Sequence, residues 1–180
     1  MKHQAHMAVA LCGVLLLLNS VFSQPASAQQ TPQAFVNAQL ITIAGDDIAD
    51  GVLVVNEGKI TAVGPASSTS IPGNAERHDL SGKIVMPGLV DSHSHIAGVQ
   101  GGDASAPLQP DVRALDAINV RDARVQKAQA GGLTVVNVMP GSGHLLSGQT
   151  IYLKLRDGRT VDDLVLYDGD RNIMGGIKMA

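Results

Sequence analysis

The chain has 180 residues, with 13 Lys and Arg against 16 Asp and Glu and a net charge of −3. With no Trp and only two each of Tyr and Phe, it offers neither a basic patch nor a stacking platform, which excludes a nucleic-acid binder. Its core has to be built from Val, Leu, Ile, Ala and Met.

Lys2 and His3 precede an apolar run from Ala8 to Leu18. The run is too short to cross a bilayer and suits the core of a signal peptide. Ala26-Ser27-Ala28 supplies a small-x-small cleavage pattern. Residues 1–28 therefore read as a signal peptide, with an uncleaved anchor helix as the alternative. The mature chain would begin at Gln29, periplasmic or secreted, with no membrane association after cleavage. The single Cys12 lies in the apolar core, follows Leu11 rather than a small residue, and would leave with the peptide. No disulfide is then available, and a metal site must draw on His, Asp, Glu, Lys or water.

Residues 29–85 read as a small all-β part. Phe35 to Ile43 is a strand with Val36, Ala38 and Leu40 on one side. Val52–Val55 and Ile60–Val63, joined by Asn56-Glu57-Gly58-Lys59, predict a β-hairpin. Pro65 to Asn74 is a loop. Ser81-Gly82 is a tight turn between His78-Asp79-Leu80 and Lys83-Ile84-Val85, and His78 reads as a surface residue.

From residue 86 the pattern changes. Leu89 to His95 is an apolar strand opening after Pro87-Gly88. A Gly/Ala/Pro-rich loop follows, then a helix capped by Asp111 with Ala114, Leu115 and Ile118 on its apolar face. Asn119 to Asp122 re-caps it, Ala123 to Ala130 continues it, and Gly131-Gly132 stops it. Leu133 to Met139 is a second apolar strand. Strand, helix and strand of this kind predict a βαβ unit in a parallel sheet. Ile151–Leu155, Leu164–Tyr167 and the stretch from Asn172 are candidate further strands.

The residues that could carry chemistry start with His93 and His95. In a strand, positions i and i+2 share a face, so both imidazoles can aim at one point as ligands of one metal ion. Two surface histidines on an edge strand are the competing reading, because H-x-H is common by chance. Asp91, two residues earlier, either orients an imidazole or caps a turn. The loop Pro140 to Gln149 follows the second strand on the same end of the sheet, where His144 and Gln149 could contact a substrate and His144 could serve as a third ligand. There is no P-loop lysine and no G-x-S-x-G elbow.

The hairpin Gly51 to Gly64 and the string Lys83-Ile84-Val85-Met86-Pro87-Gly88-Leu89-Val90-Asp91-Ser92-His93-Ser94-His95 resemble the amidohydrolase superfamily of metal-dependent hydrolases. With Gly131–Thr134 and Gly141–Gln149, the chain is similar to the exported, imidazolonepropionase-related type. The resemblance implies an α/β fold in which a small β-sandwich part (29–85) precedes the first strands of a (β/α)₈ barrel (86–180). Residues 89–180 fall well short of the roughly 250 that a closed barrel takes, so the expectation is an N-terminal fragment of a longer enzyme.

The resemblance further implies one or two divalent metal ions, often zinc, with His93 and His95 as ligands. It implies hydrolysis of a carbon–nitrogen bond other than an ordinary peptide bond, in a cyclic amide or a dipeptide-like small molecule, through metal-activated water. Lys178, in Gly176 to Ala180, matches the carboxylated bridging lysine of binuclear members, against the reading of an ordinary surface lysine; Lys154 is a weaker competitor. A homo-oligomer is compatible with the full-length enzyme. The alternative function is a non-catalytic periplasmic metal- or partner-binding protein.

Overall fold

A computed structural model describes residues 31–103 and 105–179; the signal-peptide reading, Gln29 and Cys12 lie outside the described residues. The fold is mixed α/β and mostly strand, in two compact units that meet in sequence between Val85 and Met86. None of the described helices is long and apolar enough to cross a membrane.

The first unit contains β1 (Gln33–Leu40), β2 (Ile48–Asn56), β3 (Lys59–Pro65), β4 (Glu76–Asp79) and β5 (Ile84–Val85). They form one sheet in the order β3-β2-β1-β4, with β5 also on β1. The predicted hairpin is β2–β3, with Asn56 opposite Lys59. Its turn residues Glu57 and Gly58 take φ of 50° and 73°, the twist that suits a two-residue hairpin turn. The Ser81-Gly82 turn is present, but β4 and β5 both run parallel to β1. It therefore steps the chain along β1 instead of reversing it. The period-2 pattern of β1 and β2 buries Ala34, Val52 and Val54 against Val36, Ala62, Ile71 and Ala75. His78 is half-buried rather than on the surface; its ring stacks on Phe35 with centroids 5.0 Å apart.

The second unit is built on β6 (Leu89–Ser94), α1 (Ala123–Ala130) and β7 (Leu133–Val138). β6 and β7 are parallel, with Leu89 opposite Leu133 and Ser94 opposite Val138, so the predicted βαβ unit is present. β9 (Ile151–Lys154) lies antiparallel on the other side of β7. β8 (Leu146–Gln149) and β10 (Ile177–Met179) form a separate antiparallel ladder. Val136 and Val138 of β7, Ile151 and Leu153 of β9, and Val125 of α1 bury together with Ala97 and Val99. α1 starts at the expected re-cap, not at Asp111: the Asp122 side chain accepts from the Arg124 N–H. It stops at Gly131-Gly132, where Gly132 takes φ 90°.

Three expectations fail here for tertiary reasons. The helix predicted from Asp111 shrinks to one 3-10 turn, Ala114–Ala117. Arg113 pairs with Gln149 in a β-bridge and the Val112 carbonyl accepts the Gln149 N–H, which keeps the preceding backbone extended. Beyond the turn, the Asn119 N–H is drawn to the Ala97 carbonyl. Leu164–Tyr167 makes only isolated bridges, Leu153 to Val165 and Tyr167 to Ile173. Conversely, β8 forms inside the predicted loop 140–149. Gly148 makes that possible: its φ is 124° and a Cβ would lie 2.5 Å from the Val112 carbonyl oxygen.

Candidate metal centre

β6 enters the site over Gly88, where a Cβ would lie 2.0 Å from Thr134 Cγ2 on β7. Only a residue without a side chain lets the two strands close up at that point. The β6–β7 register slips between Asp91 and Ser94, leaving a bulge around Ser92 and His93. Bulges re-aim side chains, and the Asp91 carboxylate accepts the His93 N–H at 3.0 Å. Asp91 thus holds the backbone of the bulge.

From the bulge and just past it, His93 Nε2 and His95 Nε2 converge to 3.2 Å, with the rings at 76° to each other. Two nitrogens bound to one tetrahedral zinc at about 2.0–2.1 Å stand about 3.3 Å apart. The pair therefore matches the bite of one ion. His95 Nδ1 is 2.9 Å from the Met139 carbonyl oxygen. A carbonyl only accepts, so Nδ1 carries the proton and Nε2 presents its lone pair. The Met139 N–H donates in turn to the Ser94 carbonyl at 3.0 Å. The residue just after β7 thereby holds both the ring and the backbone at the end of β6. Among the described residues no third His, Cys, Asp or Glu joins the pair to complete a ligand group.

The chain leaves His95 through a strained exit. Ala97 and Gly98 take φ of 60° and 84°. Asn119 N–H donates to the Ala97 carbonyl at 2.7 Å, and Gly98 N–H donates to Asp122 Oδ2 at 2.8 Å. Arg124 is paired with Asp122 at 2.7 Å and donates from Nη1 to the His95 carbonyl at 3.3 Å. Hydrogen bonds from the Arg124 guanidinium, then from its backbone N–H, pull the Asp122 carboxyl down to about 2.

The other predicted residues scatter. Lys178 lies on β10 opposite Gly148, half-buried, in the two-stranded ladder rather than in the sheet that carries the histidines. Gln149 donates its side-chain amide to the Pro110 carbonyl at 3.0 Å and lines a cavity of about 300 Å³ with Arg113, Thr150 and Ile177. His144 sits in the loop after β7, with a buried Nδ1 that has no hydrogen-bond partner. That loop is tied to the loop after β6 by the Gly141 N–H, which donates to the Gln100 carbonyl at 3.0 Å. Nearby, the Asp103 carboxyl is held low by Ser105, first through its backbone N–H, with a smaller contribution from His144. Sequence reasoning missed the Met139 carbonyl and the reach of Arg124. A backbone carbonyl leaves no trace in residue identity; for Arg124, its position two residues past the Asp122 cap was the available signal. It also missed Asn137 on β7, whose Oδ1 is buried without a partner.

No family model matches the chain. It is 39% identical over 77 residues to an imidazolonepropionase of Sphingopyxis alaskensis, covering 41% of this chain and 18% of that protein. It is 32% identical over 121 residues to the amidohydrolase tasK of Hapsidospora irregularis, covering 61% of this chain and 12% of that protein. Among solved structures, an amidohydrolase from Thermotoga maritima superposes with a TM-score of 0.70 at 33% identity, over 81% of this chain and 38% of that one. The chain thus spans a fifth or less of these two curated relatives.

Proposed function

Because the chain belongs to the amidohydrolase superfamily, we propose that it carries the H-x-H part of the metal centre of a hydrolase. That enzyme acts on carbon–nitrogen bonds other than ordinary peptide bonds, in a cyclic amide or a dipeptide-like small molecule. The second unit supplies the first strands of a (β/α)₈ barrel, the first unit a small β-sandwich part, and the product is exported. The observation that carries the reading is the 3.2 Å convergence of His93 Nε2 and His95 Nε2, with the His95 tautomer set by Met139.

A divalent metal, zinc in the first instance, would there bring the pKa of a bound water down to about 7. The chain's own residues prepare for it. His93 and His95 offer Nε2 lone pairs, Asp91 holds the backbone that aims His93, and Lys178 is the candidate further ligand in a binuclear form. His144, with its unpartnered Nδ1, and Gln149, on the cavity wall, are the candidate substrate contacts. The two imidazoles found together among the described residues fall short of the three protein ligands usual for catalytic zinc, so these two alone would hold zinc weakly.

Equilibrium dialysis of the chain against zinc tests the site. Weak uptake of one ion is expected, abolished by His93→Ala with His95→Ala; undiminished stoichiometric zinc in that double variant rules the pair out. The two-ligand count among the described residues equally suits a non-catalytic metal-binding protein. Reading the coding DNA past codon 180 separates the two, since the enzyme requires an in-frame continuation with later histidines and an aspartate.

A further inference from the structure

We infer that Asp122 and Arg124, at the start of α1, are a positioning pair for the histidine centre, acting through the backbone that leaves His95. The inference rests on the metal-site reading for its purpose, but its geometry stands on its own. Every contact belongs to the second unit.

Arg124 is committed at three points. Nε lies 3.1 and 3.0 Å from the two Asp122 carboxylate oxygens, and Nη2 lies 2.7 Å from Oδ2. That leaves Nη1 for the His95 carbonyl at 3.3 Å. Asp122 is committed as well: Oδ1 accepts the Arg124 N–H at 2.9 Å, and Oδ2 accepts the Gly98 N–H at 2.8 Å. The pair therefore grips the chain at residue 95 and again at residue 98, on either side of the two left-handed residues Ala97 and Gly98. Ala97 is the telling residue. An alanine at φ 60° costs about 1 kcal/mol and persists only where its surroundings over-determine it. Here Asn119 fixes its carbonyl at 2.7 Å, and the Asp122 carboxylate fixes the next N–H.

The consequence falls on the imidazole. His95 Nδ1 reaches the Met139 carbonyl only while the His95 backbone sits where Arg124 and the exit hold it. If that backbone relaxes, the Nδ1–H bond lengthens, the ring samples both tautomers, and Nε2 is no longer a dependable lone pair beside His93. A side chain that fixes a ligand's orientation in this way typically changes metal affinity by 10–100-fold. The bidentate Arg–carboxylate contact suits the task because a planar fork holds direction as well as distance.

The test uses the full chain and reads the His95 imidazole nitrogens by 15N NMR without metal, alongside zinc affinity. In the unsubstituted chain His95 is expected to be predominantly the Nδ1–H tautomer at a pH where it is neutral. Arg124→Ala, and Asp122→Asn, which keeps a good helix cap, should each shift His95 toward a tautomer mixture and weaken zinc binding about tenfold. Arg113→Ala, which breaks the separate ion pair with Asp116, serves as the stability control and should move neither readout. Unchanged His95 nitrogens in Arg124→Ala would overturn the inference, and so would an equal shift in Arg113→Ala. If the unsubstituted chain takes up no zinc while its His95 nitrogens still respond to Arg124→Ala, the positioning role stands and the metal reading fails.

Discussion

Asp122 also gives the second unit a distinct pH dependence. Its carboxyl titrates near 2 in the folded chain against an ordinary value of 3.8. At about 1.4 kcal/mol for each tenfold change, that difference is a ceiling near 2 kcal/mol. The Asp122 side chain is only 12% exposed, but its partner Arg124 is 45% exposed. Screening of the half-exposed guanidinium brings the expected contribution to about 1 kcal/mol. A folded-state value below the unfolded one means that the stabilisation is present above about pH 4 and is lost as the pH falls through about 2. Asp122→Asn removes the charge and keeps the cap, so it isolates this contribution. The assay is urea unfolding followed by tyrosine fluorescence. Both tyrosines, Tyr152 and Tyr167, belong to the second unit, so the signal reports that unit. The unsubstituted chain should exceed Asp122→Asn by about 1 kcal/mol at pH 6, and the gap should close toward pH 2. Other carboxylates held low, such as Asp163 and Asp168, titrate equally in both proteins and cancel. A gap that stays constant from pH 6 to pH 2 refutes the linkage.

Other perturbations follow from particular contacts. Leu153→Ala empties a fully buried site and should cost about 2–5 kcal/mol in the same urea assay; a cost under 1 kcal/mol, roughly, would mean that the β9 packing is wrong. Gly148→Ala forces a Cβ to 2.5 Å from the Val112 carbonyl at φ 124°, and should destabilise by about 2 kcal/mol or more, with faster amide exchange along β8. Asn137→Val removes a buried acceptor that has no partner and should raise stability by about 1 kcal/mol. A loss of stability there would show that the Asn137 amide is satisfied by water or by a neighbour.

The sequence alone determined those features in which local chemistry and long-range packing agree. The Glu57-Gly58 hairpin, the Asp122 cap, the Gly131-Gly132 stop and the βαβ order are written in turn residues and apolar periodicity, and the H-x-H pair is written in spacing. Only the tertiary structure decided the rest, because it depends on which backbone groups meet across the chain. Residues 112 and 113 pair with Gln149 and so never enter the helix their composition favours, and Gly148 admits a strand into a predicted loop. A bulge, which no residue type announces, turns His93 beside His95. The tautomer of His95 is set by the Met139 carbonyl, contributed 44 residues later in the chain, where parallel pairing of β6 and β7 delivers it. The two imidazoles were legible as residues; their shared focus is a property of the fold.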